Sequence, residues 1–519
     1  MSAHPCGIAY DGIVPRRTPK SPPAPRAPIP AHVLRWDWLA ASAVVLFAFV
    51  AYWPLAHYFL AQDDFTLLER GARGLRAAMA PFFNLNPGQF RPLTKGLYFF
   101  FAWPLFGLNP VPYHVVSILV HALNAILVGV VLRRMRISPL VSWLAAGVFA
   151  AHLCHIEAIA WASCIQQLVG AAFVFTALWF GLDALDGRGR RAMIVATIAY
   201  AGALGSYEQT MAAPLVLVGW QWIQNRRRDV RALAPMLALF AVYAVYALIL
   251  RGMPDSGPYV MSFGRNILDN LRDYLGLALS FWHIYPAYAL VMGFGFAWLP
   301  WAGIVVLHVL LRSYRALAFG LVAFFLFLLP VMFTTAHTHS FHLYVPEIGM
   351  MFLVASAAES LRRLSSEPRR RATELALTAV TVVVMAGSIV AVRTNVRALI
   401  APNVPLPRIF VLRRSVLAER MCYDIARRYD ASWQRIFLVY PGPRTLEANW
   451  KNPRSALGEG SAVRLLEKRL DLDVIFVPPD TLPPGTKENE VLVFTEGGNV
   501  MTPEEWKTFP GRIRHPGSQ

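Results

Sequence analysis

The sequence predicts an α-helical polytopic membrane protein of about eleven spans with a small C-terminal extracytoplasmic α/β domain, and three observations carry that prediction. Of its 519 residues, 56% are hydrophobic and only 15% are charged, against an apolar share of about 45–50% in soluble domains. The apolar residues gather in runs of about twenty, the length that crosses a bilayer. Charge and short apolar runs bounded by turn residues return only after residue 393, as expected of a small strand-containing domain. The 32 Phe and 15 Trp suit a lipid-embedded chain with interfacial aromatic anchors. The formal charge of +18 does not indicate nucleic acid. The basic residues form short clusters between apolar runs, where they orient a chain in a membrane.

Taken in order, residues 1–36 are Pro- and Arg-rich, a composition that cannot bury a core and reads as a disordered cytoplasmic tail. The tail lacks the apolar region and cleavage site of a signal peptide, so the first span, at 38–58, is expected to be an uncleaved anchor. A loop from Phe59 to Pro112 follows, with Asp63, Asp64, Glu69, Arg70, Arg91 and Lys95. The spacing of Leu67, Leu68, Leu75, Ala78 and Met79 predicts an amphipathic helix lying along the membrane surface. Further spans are expected at 113–132, 139–157, 160–181, 192–205, 210–224 and 232–250. A re-entrant or surface segment at 274–290 precedes spans at 293–311, 316–334, 343–361 and 373–392. The membrane part is thus 37–393.

Arginine clusters at 133–136, 188–191, 226–228, 312–315 and 369–371 predict which loops are cytoplasmic. The N-terminus then lies inside and residues 394–519 outside, as in a protein of a bacterial inner membrane. In that outer part, strands are expected at 436–440, 474–477 and 491–494, and a helix at 415–429.

This topology gathers unusual polar residues on the outer face: Asp63 and Asp64 in the first outer loop, His152, His155 and Glu157 in the second, and Tyr207, Glu208 and Gln209 in the third. His337, His339, His342, Tyr344 and Glu347 lie in a later one. Ionisable residues at membrane depth point to function, and these are expected to converge on one aqueous cavity. Cys6, Cys154, Cys164 and Cys422 have no CxxC spacing, so neither a disulfide framework nor a zinc site is expected. The histidines likewise lack the ordered spacing of a zinc or iron site. No cofactor is predicted, with a divalent metal the one possibility left open.

At these residues the chain resembles the GT-C superfamily of polytopic glycosyltransferases, within it the protein O-mannosyltransferase-like branch. The resemblance covers about 38–395. It rests on the acidic pair Asp63-Asp64, on Arg91-Pro92-Leu93, on Tyr113-His114 with His121-Ala122-Leu123-Asn124, on His152, His155, Glu157 and Trp161, on Glu208, and on His342-Leu343-Tyr344-Val345-Pro346. Where the group has basic residues, this chain has Gln166 near the second loop, Tyr207 before Glu208, and Phe341 before His342. The resemblance implies transfer of a sugar from a polyprenyl-phosphate donor to a hydroxyl of a protein, glycan or lipid acceptor. Such a reaction needs a carboxylate base and donors to the departing phosphate. Asp63 or Asp64 is the expected base, with Asp63 favoured and its neighbour positioning the acceptor, like-charge proximity raising one pKa of the pair. Arg91, Lys95 and His342 are the expected phosphate contacts, with His155, Glu157, Glu208 and Tyr344 lining the site. A transporter or flippase and an inactive relative in envelope assembly are the alternatives; no inverted repeat supports the first.

Overall fold

The computed structural model describes residues 31–83, 90–224, 227–250, 260–279, 294–335, 338–401, 404–441, 447–477 and 482–509. Five helices among them are long and apolar enough to cross a membrane: Trp36–His57, Pro110–Arg134, Ala162–Leu185, Tyr314–Met332 and Glu367–Arg397. A sixth crossing results if the pair Pro139–Ala151 and Leu153–Ala160, bent by 46°, forms one span. The chain is therefore a helical, membrane-embedded protein. Most of the segment expected to be re-entrant, from residue 280 onward, lies outside the described residues, as do His337 and the tail to residue 30.

The 192–205 run is a 15-residue helix, Arg190–Leu204, extended by two residues at its N-terminal end. Other expected spans are broken. The 210–224 run begins as a 3-10 turn, Glu208–Ala212, before the helix Ala213–Ile223. The helix Glu347–Leu364 carries Glu347, Glu359, Arg362 and Arg363, too many charges for an ordinary lipid-exposed span. The spans expected at 139–157 and 160–181 are reset by two extended residues. His152 (φ −68°, ψ 129°) ends the first helix at Ala151, and Trp161 (φ −109°, ψ 111°) ends the short helix Ile156–Ala160.

Packing explains why these helices sit together. Pro110–Arg134 packs on Ala31–Tyr52, Pro139–Ala151 and Ile165–Leu185, burying His114, His121, Asn124 and a run of small and branched apolar residues. Tyr314–Met332 packs on Glu347–Leu364, and the crossing is close. A methyl group on Gly349 would lie 2.8 Å from the Gly320 carbonyl oxygen, the small-residue contact by which helices approach in a bilayer.

The first loop departs from expectation. Instead of one surface helix, it forms Asp63–Ala72 and Leu75–Phe83, separated at Gly74 with φ 102°. Leu67 and Leu68 are buried, and the helix Asp63–Ala72 packs on Tyr98–Phe106 and on Ser461–Leu466 of the C-terminal domain. Its apolar stripe therefore faces protein; the 3.6-residue period is the same whether the partner is protein or lipid.

After Glu367–Arg397 the chain forms a hairpin of β1 (Leu399–Ala401) and β2 (Val404–Pro407), then the helix Phe410–Ala426. The strands β3 (Arg435–Val439), β4 (Asp473–Val477), β5 (Val491–Phe494) and β6 (Val500–Met501) follow. The sheet order is β4-β3-β5-β6, parallel except for the last pair. The parallel step from β3 to β4 runs through helices Glu447–Ala456 and Ser461–Leu466, as a crossover requires. The small α/β domain is thus present, with the strands within a residue or two of expectation.

This domain is clasped to the first loop. Arg464 Nε and Nη2 each donate to a Glu69 carboxylate oxygen at 3.0 Å. Arg73 Nη2 donates to Glu69 Oε1 at 2.6 Å and to the Leu470 carbonyl at 2.6 Å. The Gln62 amide donates to the Ala456 carbonyl at 3.0 Å. Gly458 has φ +55°, and a side chain there would meet the Gln62 carbonyl at 2.6 Å, so glycine is needed at that point for both reasons. Burial works to raise the Glu69 carboxyl, but its bonds to Arg464, Ser461 and Arg73 outweigh that and hold it below the ordinary value. A depressed acid stabilises the folded state above its unfolded pKa and loses that contribution as pH falls through its folded value. Arg464→Ala is expected to cost about 2 kcal/mol of docking, measured as faster amide exchange across 63–72 than in the wild type. Acidification below about pH 4 should loosen the wild-type clasp in the same assay.

Candidate functional site

The acidic pair divides into one buried and one exposed carboxylate. Asp63 and Asp64 open the helix Asp63–Ala72, with Gln62 before it held at φ 57°. Asp64 is 2% exposed. Its Oδ2 accepts the Ala61 amide at 3.0 Å and its Oδ1 the Ser163 amide at 2.6 Å. The buried acid therefore fixes the first loop to the second. Burial, opposed by the Ala61 and Ser163 amides and assisted by the Asp63 charge, pushes its carboxyl up to about 7. The raised acid of the pair is thus Asp64, and desolvation contributes more than like-charge proximity. The Asp63 side chain is 56% exposed and lies 3.8 Å from Lys95 Nζ. Burial first, and then the Arg91 charge, hold the Lys95 ammonium below its ordinary pKa, against Asp63 and Glu208.

Arg91 takes a different position from the phosphate contact expected of it. It is 1% exposed, with Nε donating to Glu208 Oε2 at 2.7 Å, Nη2 to Glu208 Oε1, and Nη1 to Gln166 Oε1 at 2.5 Å. The Tyr207 ring lies 4.9 Å from its guanidinium carbon. Gln166 and Tyr207, which stand near the resembled group's basic residues, here hold Arg91 in place. Burial acts to raise Glu208, but Arg91 and Lys95 keep it below the usual carboxylate range.

The remaining predicted residues fall into two groups. Near the acid pair, Glu157 Oε2 accepts from the Ser340 amide at 2.9 Å and its hydroxyl at 2.7 Å, with His339 Nδ1 at 3.9 Å. His342 Nδ1 pairs with the Tyr207 hydroxyl at 2.9 Å, and Gln209 Nε2 donates to the His342 carbonyl at 2.9 Å. The Cys164 thiol lies within electrostatic reach of Asp63, Asp64, Lys95 and Glu157, which ties these loops to one end of the helices. His155 and Tyr344 belong to a deeper group. Tyr344 Oη meets His121 Nδ1 at 2.7 Å and Asn124 Nδ2 at 3.1 Å, and the His155 ring packs 4.6 Å from the Tyr344 ring. The expected single cavity is therefore two adjoining polar clusters. His114, which joins the carbonyls of Tyr58 (2.9 Å) and Ile159 (3.4 Å), is a structural tie.

Sequence reading expects the C-terminal domain to position an acceptor but names none of its residues, and two of them reach the acid-bearing loops. Arg414 Nη1 donates to Gln62 Oε1, next to Asp63, and its Nε is 3.4 Å from Asn452 Oδ1. Desolvation lowers the Arg414 pKa, followed by Arg413, against the attraction of Asp63. Phe410 packs on Trp161 (5.7 Å), on His339 (4.9 Å) and under Arg414 (5.7 Å). His339 in turn stacks on Phe341 at 4.9 Å. An aromatic wall thus stands where Glu157 and its loop meet the C-terminal domain. No local motif marks Phe410 or Arg414, since Trp161 and Gln62, which they reach, lie hundreds of residues away in the chain.

Three buried side chains could hold a metal ion: His152, Cys154 and Glu347, whose ligand atoms all lie within 4.8 Å of one another.

No protein-family model matches this chain, and no curated protein matches it. Fold and site define the class: a helical membrane protein with an α/β domain docked over an acid-bearing loop.

Proposed function

We propose that this protein is a membrane glycosyltransferase of the GT-C type, moving a sugar from a polyprenyl-phosphate donor to an acceptor hydroxyl with inversion. The reading includes about eleven spans, a cytoplasmic N-terminus, and an outer domain on the extracytoplasmic side of a bacterial inner membrane. The observation that carries it is Asp63, an exposed carboxylate with an ammonium 3.8 Å away and an aromatic wall beside its loop. Asp63 acts as the base, taking the acceptor proton as the new glycosidic bond forms. The bond from the sugar's anomeric carbon to the phosphate oxygen breaks, and Lys95 and Arg414 receive the phosphate charge. Asp64 seats the loop. Arg91 orients Glu208 from behind. Phe410, a half-buried member of the aromatic wall, offers the face on which a sugar ring or its lipid can lie.

The test is sugar transfer in membranes from a labelled polyprenyl-phosphate sugar to endogenous acceptors, with and without the protein. Absence of any transfer, with several sugars tried, would overturn the reading. Arg414→Ala is expected to raise the apparent KM for the donor about tenfold, a single charge-assisted contact. Arg414→Lys should recover part of it. An unchanged KM would remove Arg414 from the site.

A further inference from the structure

We propose that His152, Cys154 and Glu347 form a buried binding site for a thiophilic divalent metal ion of the zinc type. The proposal is independent of the sugar-transfer reading.

The three side chains meet because the helix Pro139–Ala151 stops at His152. The following 3-10 turn Leu153–His155 then faces Glu347, the first residue of the helix Glu347–Leu364. Cys154 Sγ is the hub: His152 Nδ1 lies 2.9 Å from it and Glu347 Oε1 3.7 Å. Zinc bonds of about 2.3 Å to sulfur and about 2.0–2.2 Å to nitrogen and oxygen place tetrahedral ligand atoms roughly 3–4 Å apart. The observed separations fall close to that range. A thiolate, an imidazole and a carboxylate are a donor set suited to zinc, with the fourth position open.

Burial makes the argument stronger than the distances alone. His152, Cys154 and Glu347 are 1%, 2% and 0% exposed. Glu347 Oε2 has no hydrogen-bond partner among the described residues. A buried carboxylate with an unsatisfied oxygen costs several kcal/mol in a medium without water. A cation beside it removes that cost. An outer contact that orients a metal ligand is also present: the Tyr52 hydroxyl donates to the His152 carbonyl. Such an ion would pin the turn at His152 to the head of the Glu347–Leu364 helix, two elements that no hairpin joins.

The test is metal content of the full-length protein purified in detergent without chelator. About one zinc per chain is expected, falling at least fivefold in Cys154→Ala and in Glu347→Gln and staying unchanged in Cys422→Ala, whose thiol lies in the outer domain. Cobalt(II) added to chelator-stripped wild type should give thiolate-to-cobalt charge-transfer absorption, a readout that needs no variant to fold. Wild type that holds no metal and shows no cobalt–thiolate band would overturn the proposal. So would metal content that is equal in wild type, Cys154→Ala and Glu347→Gln.

Discussion

Asp63→Asn is expected to lower sugar transfer by roughly 10²–10⁴-fold, the usual worth of a positioned base, while leaving the fold intact. The side chain is more than half exposed and its ion pair with Lys95 is 3.8 Å long, a contact whose loss costs at most about 1 kcal/mol. Asn keeps the shape and the helix N-terminal position but cannot take a proton. The neighbouring substitution behaves in the opposite way. Asp64→Asn would turn an amide NH2 toward one of the two backbone donors at Ala61 and Ser163, and leaving such a buried donor unpaired costs about 1–3 kcal/mol. Thermal unfolding and transfer rate measured on both variants separate base from seat. Full activity in Asp63→Asn would remove the base assignment, and equal stability loss in the two would remove the division of labour.

The largest loss of stability is expected from Arg91→Ala. The guanidinium is almost fully buried and is bonded to Glu208 at two nitrogens and to Gln166 at a third. Its removal leaves the Glu208 carboxylate without its counter-charge, a change that costs about 3–5 kcal/mol in comparable buried pairs. The double variant Arg91→Ala with Glu208→Gln should recover much of that loss, because the stranded charge goes with the residue that stranded it. Arg91→Lys should recover less, since an ammonium cannot reproduce the forked geometry. The measurement is the melting temperature of detergent-solubilised protein. A wild-type melting point for Arg91→Ala would show that the pair contributes nothing to folding.

Sequence reading reached the membrane class and the three outer strands because both depend on local pattern. Runs of about twenty apolar residues and short β-rich runs between turns need no partner to be recognised. It also picked out Asp63, Asp64, Arg91 and Glu208, but not that Arg91 and Glu208 bond each other across 117 positions. The stripe of Leu67 and Leu68 was legible as amphipathic, yet its helix packs on protein, on Tyr98–Phe106 and Ser461–Leu466, rather than on lipid. The residues around Cys154 illustrate the limit most directly. Spacing at 152, 154 and 155 carries no metal signature by itself, and Glu347 enters 193 positions later. Such a cluster exists only after the helices have packed.

The clasp between Glu69 and Arg464 joins residues 395 positions apart, and this has a consequence for the order in which the protein is made. The acid helix is translated early, but its second wall emerges only when synthesis is nearly complete. Until then Glu69 lacks its bidentate partner, Gln62 lacks Arg414 and the Ala456 carbonyl, and the loop is held only on its early side, by Tyr98–Phe106 and Ser163. Under the sugar-transfer reading, a chain on the ribosome, or one truncated before Phe410, would be catalytically silent. Competence arrives last, which protects the donor pool from half-built copies.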